Sequence, residues 1–342
     1  MGATPQQIEH AIGMFVAHYI PFRAIRAGKQ LSDSKGASAA ISTEAALHCI
    51  QRAMNGFVGP KDIFRNPEAI FRLNEPTKGD SPFDIVLSQD GTDFAVMGMH
   101  FKLGLYEHQS AGALEAIMKL LYQHKFVEHN NIDIIENIDI VCYEPAFGII
   151  GDPAKRTPTT RQSADHSMVY IISTLLRKAF EDPKFNEKLQ NTESLNQVWT
   201  SLMLEPQDYS YPALYNKTTR ALMEKTGFTH GGKEYDEKYP EGIPTSVKIT
   251  LKGGKVLDSS LQMFPSGHAR NTECDLSGIL SHKFRLLGQL ALATPEEVDG
   301  MVNKLQSLET LSNDDLQTLY NCNIKYHNVS VDDDKFNLVN KY

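Results

Sequence analysis

The segment SVKITLKGGKVLDSSLQMF, residues 246–264, decides the class of the fold. It reads as two strands joined at Gly253-Gly254, because glycine takes the positive φ of a tight hairpin at no steric cost. Upstream of it, FAVMGMHFKL (94–103) and IDIIENIDIVCY (132–143) also look like strands, while residues 109–121 and 168–180 look helical. In the second helical stretch Met168, Ile171, Ile172, Leu175 and Ala179 make one apolar face. Strands and helices mixed in this way predict an α+β fold.

Further outward, both ends of the chain turn helical. Thr4-Pro5-Gln6-Gln7 combines an N-cap, a proline at the first helical position and a capping-box glutamine, and Ile8, Ile12, Phe15 and Tyr19 follow on one face. A second helix, rich in small residues, is predicted over 38–54, closing near Gly56 and Gly59-Pro60. Beyond Asp275 the composition is helical again, with Thr294 capping a helix that begins at Pro295. The polar stretch NEPTKGDSPFD (74–84) leads into the middle part, and VSVDDDKFNLVNKY (329–342) reads as a loosely attached tail. The expected organisation is a helical domain (first part) over 1–86, an inserted α+β domain over 87–265, and a helical return segment with its tail over 266–342.

Composition removes several classes of function. The 342 residues, 41% apolar and 22% charged, are enough for two domains. No run reaches the roughly 18 to 20 apolar residues that span a bilayer. MGATPQQIEH lacks the basic and apolar segments of a secretory signal, so a cytoplasmic protein is expected, or a mitochondrial-matrix one in a eukaryote. The net charge of −8 comes without a basic stripe, which speaks against nucleic acid and requires any anionic ligand to be held by local cations. Cys49, Cys142, Cys274 and Cys322 stand far apart with no C-x-x-C pair. Neither a disulfide framework nor an iron–sulfur cluster is indicated, and no metal or other cofactor is expected.

Residues able to do chemistry gather in four segments. In TRQSADHSMVYI (160–171), Arg161, Asp165, His166, Ser167 and Tyr170 crowd the start of an apolar helix. Asp165 stands where a helix cap belongs, and the same helix end suits an anion. Tyr170, flanked by apolar residues, reads first as a core residue with a satisfied hydroxyl. In MHFKLGLYEHQSAGALEA (99–116), Lys102 ends a strand-like run and His108 stands just before a helix. Lys35 in LSDSKGASAA (31–40) directly precedes the small-residue helix. FPSGHARNTE (264–273) sets His268 and Arg270 beside Gly267, in a loop compatible with close approach to a ligand.

Taken in order, LSDSKGASAAIS, FKLGLYEH, PTTRQSADHSMVYI, YPEGIPTSVKITLKGGKV and FPSGHARN resemble successive motifs of the MmgE/PrpD family, which includes 2-methylcitrate dehydratase. The resemblance spans roughly residues 4 to 295. It implies a helical domain built from both ends of the chain, an α+β domain inserted between, a lyase site in the cleft where they meet, and a homodimer. Carried over by position, it puts active-site lysines at Lys35 and Lys102 and a site histidine at His108. The D-H-S-x-x-Y segment falls on Asp165, His166, Ser167 and Tyr170, and the G-H-A-R segment on Gly267 to Arg270. LGLYEH departs from the family in lacking a proline and a longer run before the histidine. Family members also carry a long helical segment ahead of the part matched here, which contributes an Asp and a His. A truncated, inactive chain or a partner polypeptide is therefore an alternative to an autonomous enzyme.

The implied reaction is a metal-independent dehydration of 2-methylcitrate or a similar tricarboxylic acid, with a cis-aconitate decarboxylase or an epimerase as the alternative within the family. Dehydration removes a proton beside a carboxylate and expels a hydroxyl, so it needs a base, an acid and cations for the developing charge. Lys102, His108, His166 and Tyr170 are the expected catalytic residues. Lys35, Asp165, Ser167, His268 and Arg270 are the expected substrate-binding ones.

Overall fold

In the computed structural model of the chain, the structure describes residues 2–20, 25, 30–70, 72, 95–151 and 153–326. It divides into two units, Met1–Phe94 and Ala95–Tyr342. The polar stretch 74–84 and the tail 329–342 lie outside the described residues.

The first unit holds α1 (Pro5–Tyr19) and α2 (Asp33–Met54). The capping box that opens α1 forms as expected: Gln7 N donates to Thr4 Oγ1 at 3.3 Å and Thr4 N to Gln7 Oε1 at 2.8 Å. The helices pack through Ala11 and Met14 on one side and Cys49 and Ala53 on the other. Helix α2 starts earlier than the small-residue run suggests, because Ser32 is extended and Asp33 supplies an acid to the first turn. Lys35 therefore lies within the first turn of α2 rather than ahead of it.

The second unit is the α+β part. Its main elements are α3 (Ala111–His124), β1 (Ile135–Cys142), α4 (Met168–Glu181), α5 (Leu195–Leu202), α6 (Lys217–Glu224), β2 (Thr226–His230), β3 (Thr245–Leu251), β4 (Val256–Asp258), α7 (Leu276–Gly288) and α8 (Pro295–Gln306). The four strands form one mixed sheet in the order β2-β1-β3-β4. Strand β1 pairs parallel with β2 and antiparallel with β3, and β3 continues antiparallel into β4. The hairpin expected over 246–264 is this β3–β4 pair, with Gly253 and Gly254 at φ 87° and 80° in its turn. A parallel pair cannot be closed by a tight turn. The connection from β1 to β2 accordingly carries α4, α5 and α6.

Ile135, Ile138, Ile140 and Cys142 of β1 are buried, which turns this strand's apolar residues toward the core. Burial pushes the Cys142 thiol up to about 12, an unreactive position. Helix α4 is buried far more widely than its one apolar face suggests. From Met168 to Phe180, every residue but Arg177 and Lys178 is inaccessible, Ser173 and Thr174 included. Those two cations converge on Asp208, at 3.0 and 2.8 Å. Helix α8 opens with the expected Thr294 and Pro295, in a full capping box with Glu297.

One further feature differs from expectation. FAVMGMHFKL is not a strand: Ala95–Gly98 forms a 3-10 turn and the chain then runs irregularly to Lys102. Strand propensity is realised only with a partner ladder. Here Phe101 N donates to the Gly267 carbonyl at 2.9 Å and Leu103 N to the Tyr106 hydroxyl at 2.8 Å, so one amide is satisfied by a distant loop and the other within its own. Segment 266–326 packs with the second unit, where Ile279 of α7 joins the main core and α7 lies against α5 and α8.

Glu115, at 1% exposure, ties three of these elements together. Its Oε2 accepts from Trp199 Nε1 on α5 at 3.0 Å and from the Ser266 amide at 3.1 Å, and Lys119 stands 3.5 Å from Oε1. Glu115→Ala leaves two buried donors without an acceptor and should cost about 2 to 6 kcal/mol, at roughly 1 to 3 per orphaned group. Glu115→Gln, which keeps an acceptor, should cost less. Urea unfolding followed by the fluorescence of Trp199, the chain's single tryptophan, checks both; a loss below about 1 kcal/mol for the alanine variant would show that the tie carries little.

Candidate functional site

The loop 99–110 and the loop 264–270 lie side by side in the second unit. Their closest approach is at Gly267, whose φ of 94° suits glycine, and where an added Cβ would fall 2.3 Å from the Phe101 carbonyl oxygen. The glycine expected to admit a ligand instead admits a neighbouring backbone.

This contact brings three imidazoles together. The His100 ring centroid lies 4.4 Å from that of His108 and 5.3 Å from that of His268, both edge-on. Both ring nitrogens of His100 are buried, and neither makes a hydrogen bond of good geometry. Burial, then His108 and His268, hold the His100 imidazole down at about 3, against a weaker opposing pull from the Ser266 backbone. His108 is lowered by burial, then by Lys102 and His268. His268 is lowered by burial and by Arg270. Arg270 N donates to His268 Nδ1 at 3.1 Å, so in the neutral ring the proton sits on Nε2.

Lys102 is exposed on this surface, and Lys283 of α7 donates its Nζ to the Lys102 carbonyl at 2.6 Å. Lys283 is lowered by burial and by the charge of Lys102. Lys102 also acts on Glu107, a buried carboxylate raised by burial and opposed by its bond from the Gln109 amide and by His166, Lys102 and Lys155. Glu107 is thus the point at which the 99–110 loop and the 160–171 segment come within electrostatic reach of each other.

The 160–171 segment is arranged differently from the expectation. Ser167, not Asp165, caps α4: its backbone is extended and its Oγ accepts from Tyr170 N at 3.3 Å. Asp165 has helical backbone angles, φ −70° and ψ −8°, and ends the short turn Arg161–Ala164. Its carboxylate is paired closely with His166 Nδ1, which also lies 2.9 Å from the Gln162 carbonyl. Tyr170 is wholly buried, donates its hydroxyl to the Asp208 carbonyl at 2.6 Å and is pushed up to about 12, chiefly by burial. It is a core residue.

Of the expected site residues, the structure gathers Lys102, His108 and His268, with His166 and Asp165 reached through Glu107. Ser167 and Tyr170 serve the helix and its core. Arg270 is exposed, pairs with Glu241 and lies over the Phe264 ring, with 5.7 Å from its guanidinium carbon to the ring centroid. Lys35 belongs to the other unit. The sequence reading did not single out His100, Glu107 and Lys283. His100 and Glu107 were signalled by their spacing around Lys102 and His108, whereas nothing local marks Lys283.

Among the described residues, no group of three His, Cys, Asp or Glu side chains is arranged to hold a metal ion, and the three clustered histidines are no exception. No described helix is long and apolar enough to cross a membrane. Neither a protein-family profile nor a curated protein matches the chain.

Two measurements check this geometry. Ser167→Ala should lower stability by about 0.5 to 2 kcal/mol, the range for losing a helix cap, and Asp165→Ala by clearly less; the reverse order in chemical denaturation would return the cap to Asp165. The second is acid sensitivity. An unfolded histidine binds its proton near 6.5 and folded His100 only near 3, so protons favour the unfolded chain as pH falls through that window. Melting temperature should therefore drop between pH 7 and pH 5, and His100→Phe should flatten the decline. An unchanged slope would remove His100 from the acid response.

Proposed function

We propose that the protein is a hydro-lyase that dehydrates 2-methylcitrate or a similar tricarboxylic acid by a route that needs no metal. The observation that carries the reading is the gathering of Lys102, Lys283, His108 and His268 on one surface, with Glu107 and His166 at its border. The five ordered motifs that resemble the MmgE/PrpD family support it. With the resemblance comes a homodimer.

The residue chemistry suits the reaction. His108, held neutral by burial and by its cationic neighbours, can take the proton from the carbon beside a carboxylate. As that C–H bond breaks, charge builds on the carboxylate, and Lys102 and Lys283 are placed to stabilise it. The C–O bond then breaks, the C=C bond forms, and the departing hydroxyl leaves as water with a proton from the His166 side of the site. Asp165 holds the orientation of the His166 ring. Tyr170 has no part in these steps, since its hydroxyl is engaged in the core.

Incubating the purified chain with 2-methylcitrate, citrate and cis-aconitate, while following absorbance of the conjugated product, tests the reading. Formation of that absorbance from 2-methylcitrate or citrate supports a dehydratase. Consumption of cis-aconitate with release of carbon dioxide would indicate a decarboxylase, and no change with any of the three would sink the enzymatic reading. In an active preparation, Lys102→Ala should cost about 1.5 to 3 kcal/mol in kcat/KM, the range for a hydrogen bond to a charged group, at nearly constant melting temperature. An unaltered kcat/KM would remove Lys102 from the site.

A further inference from the structure

We propose that His100, His108 and His268 together bind a carboxylate-bearing anion and take up a proton from solvent as it binds, with His100 completing the site. The choice of a carboxylate rests on the function proposed above; the coupling to a proton rests on the geometry of the cluster.

Three observations converge. First, both ring nitrogens of His100 are buried and, apart from a weak interaction with the Ser266 backbone, lack a hydrogen-bond partner, although His100 sits between two other imidazoles. Buried polar atoms are normally satisfied, so an orphaned imidazole needs a ligand or another explanation. Second, the groups facing the cluster are mostly cationic: Lys102 acts on His108 and on Lys283, and Arg270 acts on His268. The two nearby carboxylates are already engaged, Glu241 with Arg270, and Glu107 with the Gln109 amide amid Lys102, Lys155 and His166. Third, the rings pack edge to face in an arrangement unsuited to a metal ion. An oxygen acceptor bearing negative charge is the ligand that satisfies this set.

The proton follows by linkage. Burial and neighbouring cations lower the proton affinity of the three rings, and a neutral imidazole offers one donor and one acceptor. An anion placed against them favours the charged form of His100, in which both nitrogens donate, while His108 stays neutral for its part in the dehydration. Protonation and anion binding therefore assist each other, and affinity for the anion should rise as pH falls through the neutral range.

Isothermal titration of the full chain with tricarballylate, which has three carboxylates and no hydroxyl to eliminate, reads this directly. Run at about pH 7.5 in two buffers of different ionisation heat, it should show uptake of up to about one proton per tricarballylate. His100→Phe should bind about tenfold more weakly, the scale of one hydrogen bond to a charged group, with reduced proton uptake. His100→Gln, which donates but does not titrate, should keep more of the affinity while showing the same reduced uptake. Circular dichroism establishes that each variant is folded, and where His100→Phe fails to fold, His100→Gln and His268→Gln carry the test. Absence of tricarballylate binding, equal heats in the two buffers, or a folded His100 variant with wild-type proton uptake would each overturn the inference. Lyase turnover without proton uptake overturns this inference alone. Proton-coupled binding in a chain that turns nothing over keeps it and discards the lyase.

Discussion

The arrangement of the second unit depends on one buried carboxylate. Glu115 lies on α3, the helix that packs against β3, and it receives hydrogen bonds from α5 and from the loop that carries His268. A carboxylate at this depth is tolerated because its oxygens meet an indole N–H, a backbone amide and a nearby ammonium. Helix–sheet packing alone would place α3 to within the tolerance of apolar contacts. The directional bonds to Trp199 and Ser266 fix the loop relative to the helix, and through the Phe101–Gly267 bond they fix the loop that bears His100 as well. The histidine cluster is thus positioned by polar groups outside it.

That dependence explains what the sequence disclosed and what it concealed. Local signals read well where local chemistry decides: the Thr4 capping box, the Gly253-Gly254 hairpin, the β1 run and the Thr294-Pro295 helix start all form. Reading failed where a distant partner decides. FAVMGMHFKL has the composition of a strand, but its amides bond to Gly267 and Tyr106 rather than to a ladder. Strand β2, with the sequence TGFTH, was too short and too glycine-broken to be read alone, and it exists because β1 offers an open edge. Asp165 and Ser167 are two of the residue types that favour caps, and only backbone angles separate them. For the site, Lys102, His108 and His268 were legible as exposed chemistry at element ends. Lys283 was not, since it reaches Lys102 from a helix far along the chain.

The surface where these residues meet is cationic and strained by its own charge. Lys102 and His268 lower the affinity of His108 for protons, Arg270 that of His268, and Lys102 that of Lys283, while the nearest carboxylates are occupied by other partners. Structural ion networks usually balance their charges. An unbalanced set, on two loops held by a glycine contact and a buried glutamate, has the character of a binding surface more than of a brace.

The order of the strands also bears on how the molecule is made. Strand β1 is interior to the sheet, yet both its neighbours are encoded later: the partners of Ile138, Thr226 and Ile249, follow it by about 90 and about 110 residues. At about 5 to 20 residues per second, a ribosome needs roughly 5 to 20 s to deliver them. Throughout that interval IENIDIVC has two unpaired edges and an apolar face with nothing to cover it. The sheet cannot close until most of the polypeptide has emerged, so this stretch of the nascent chain is the one that a chaperone would have most reason to shield.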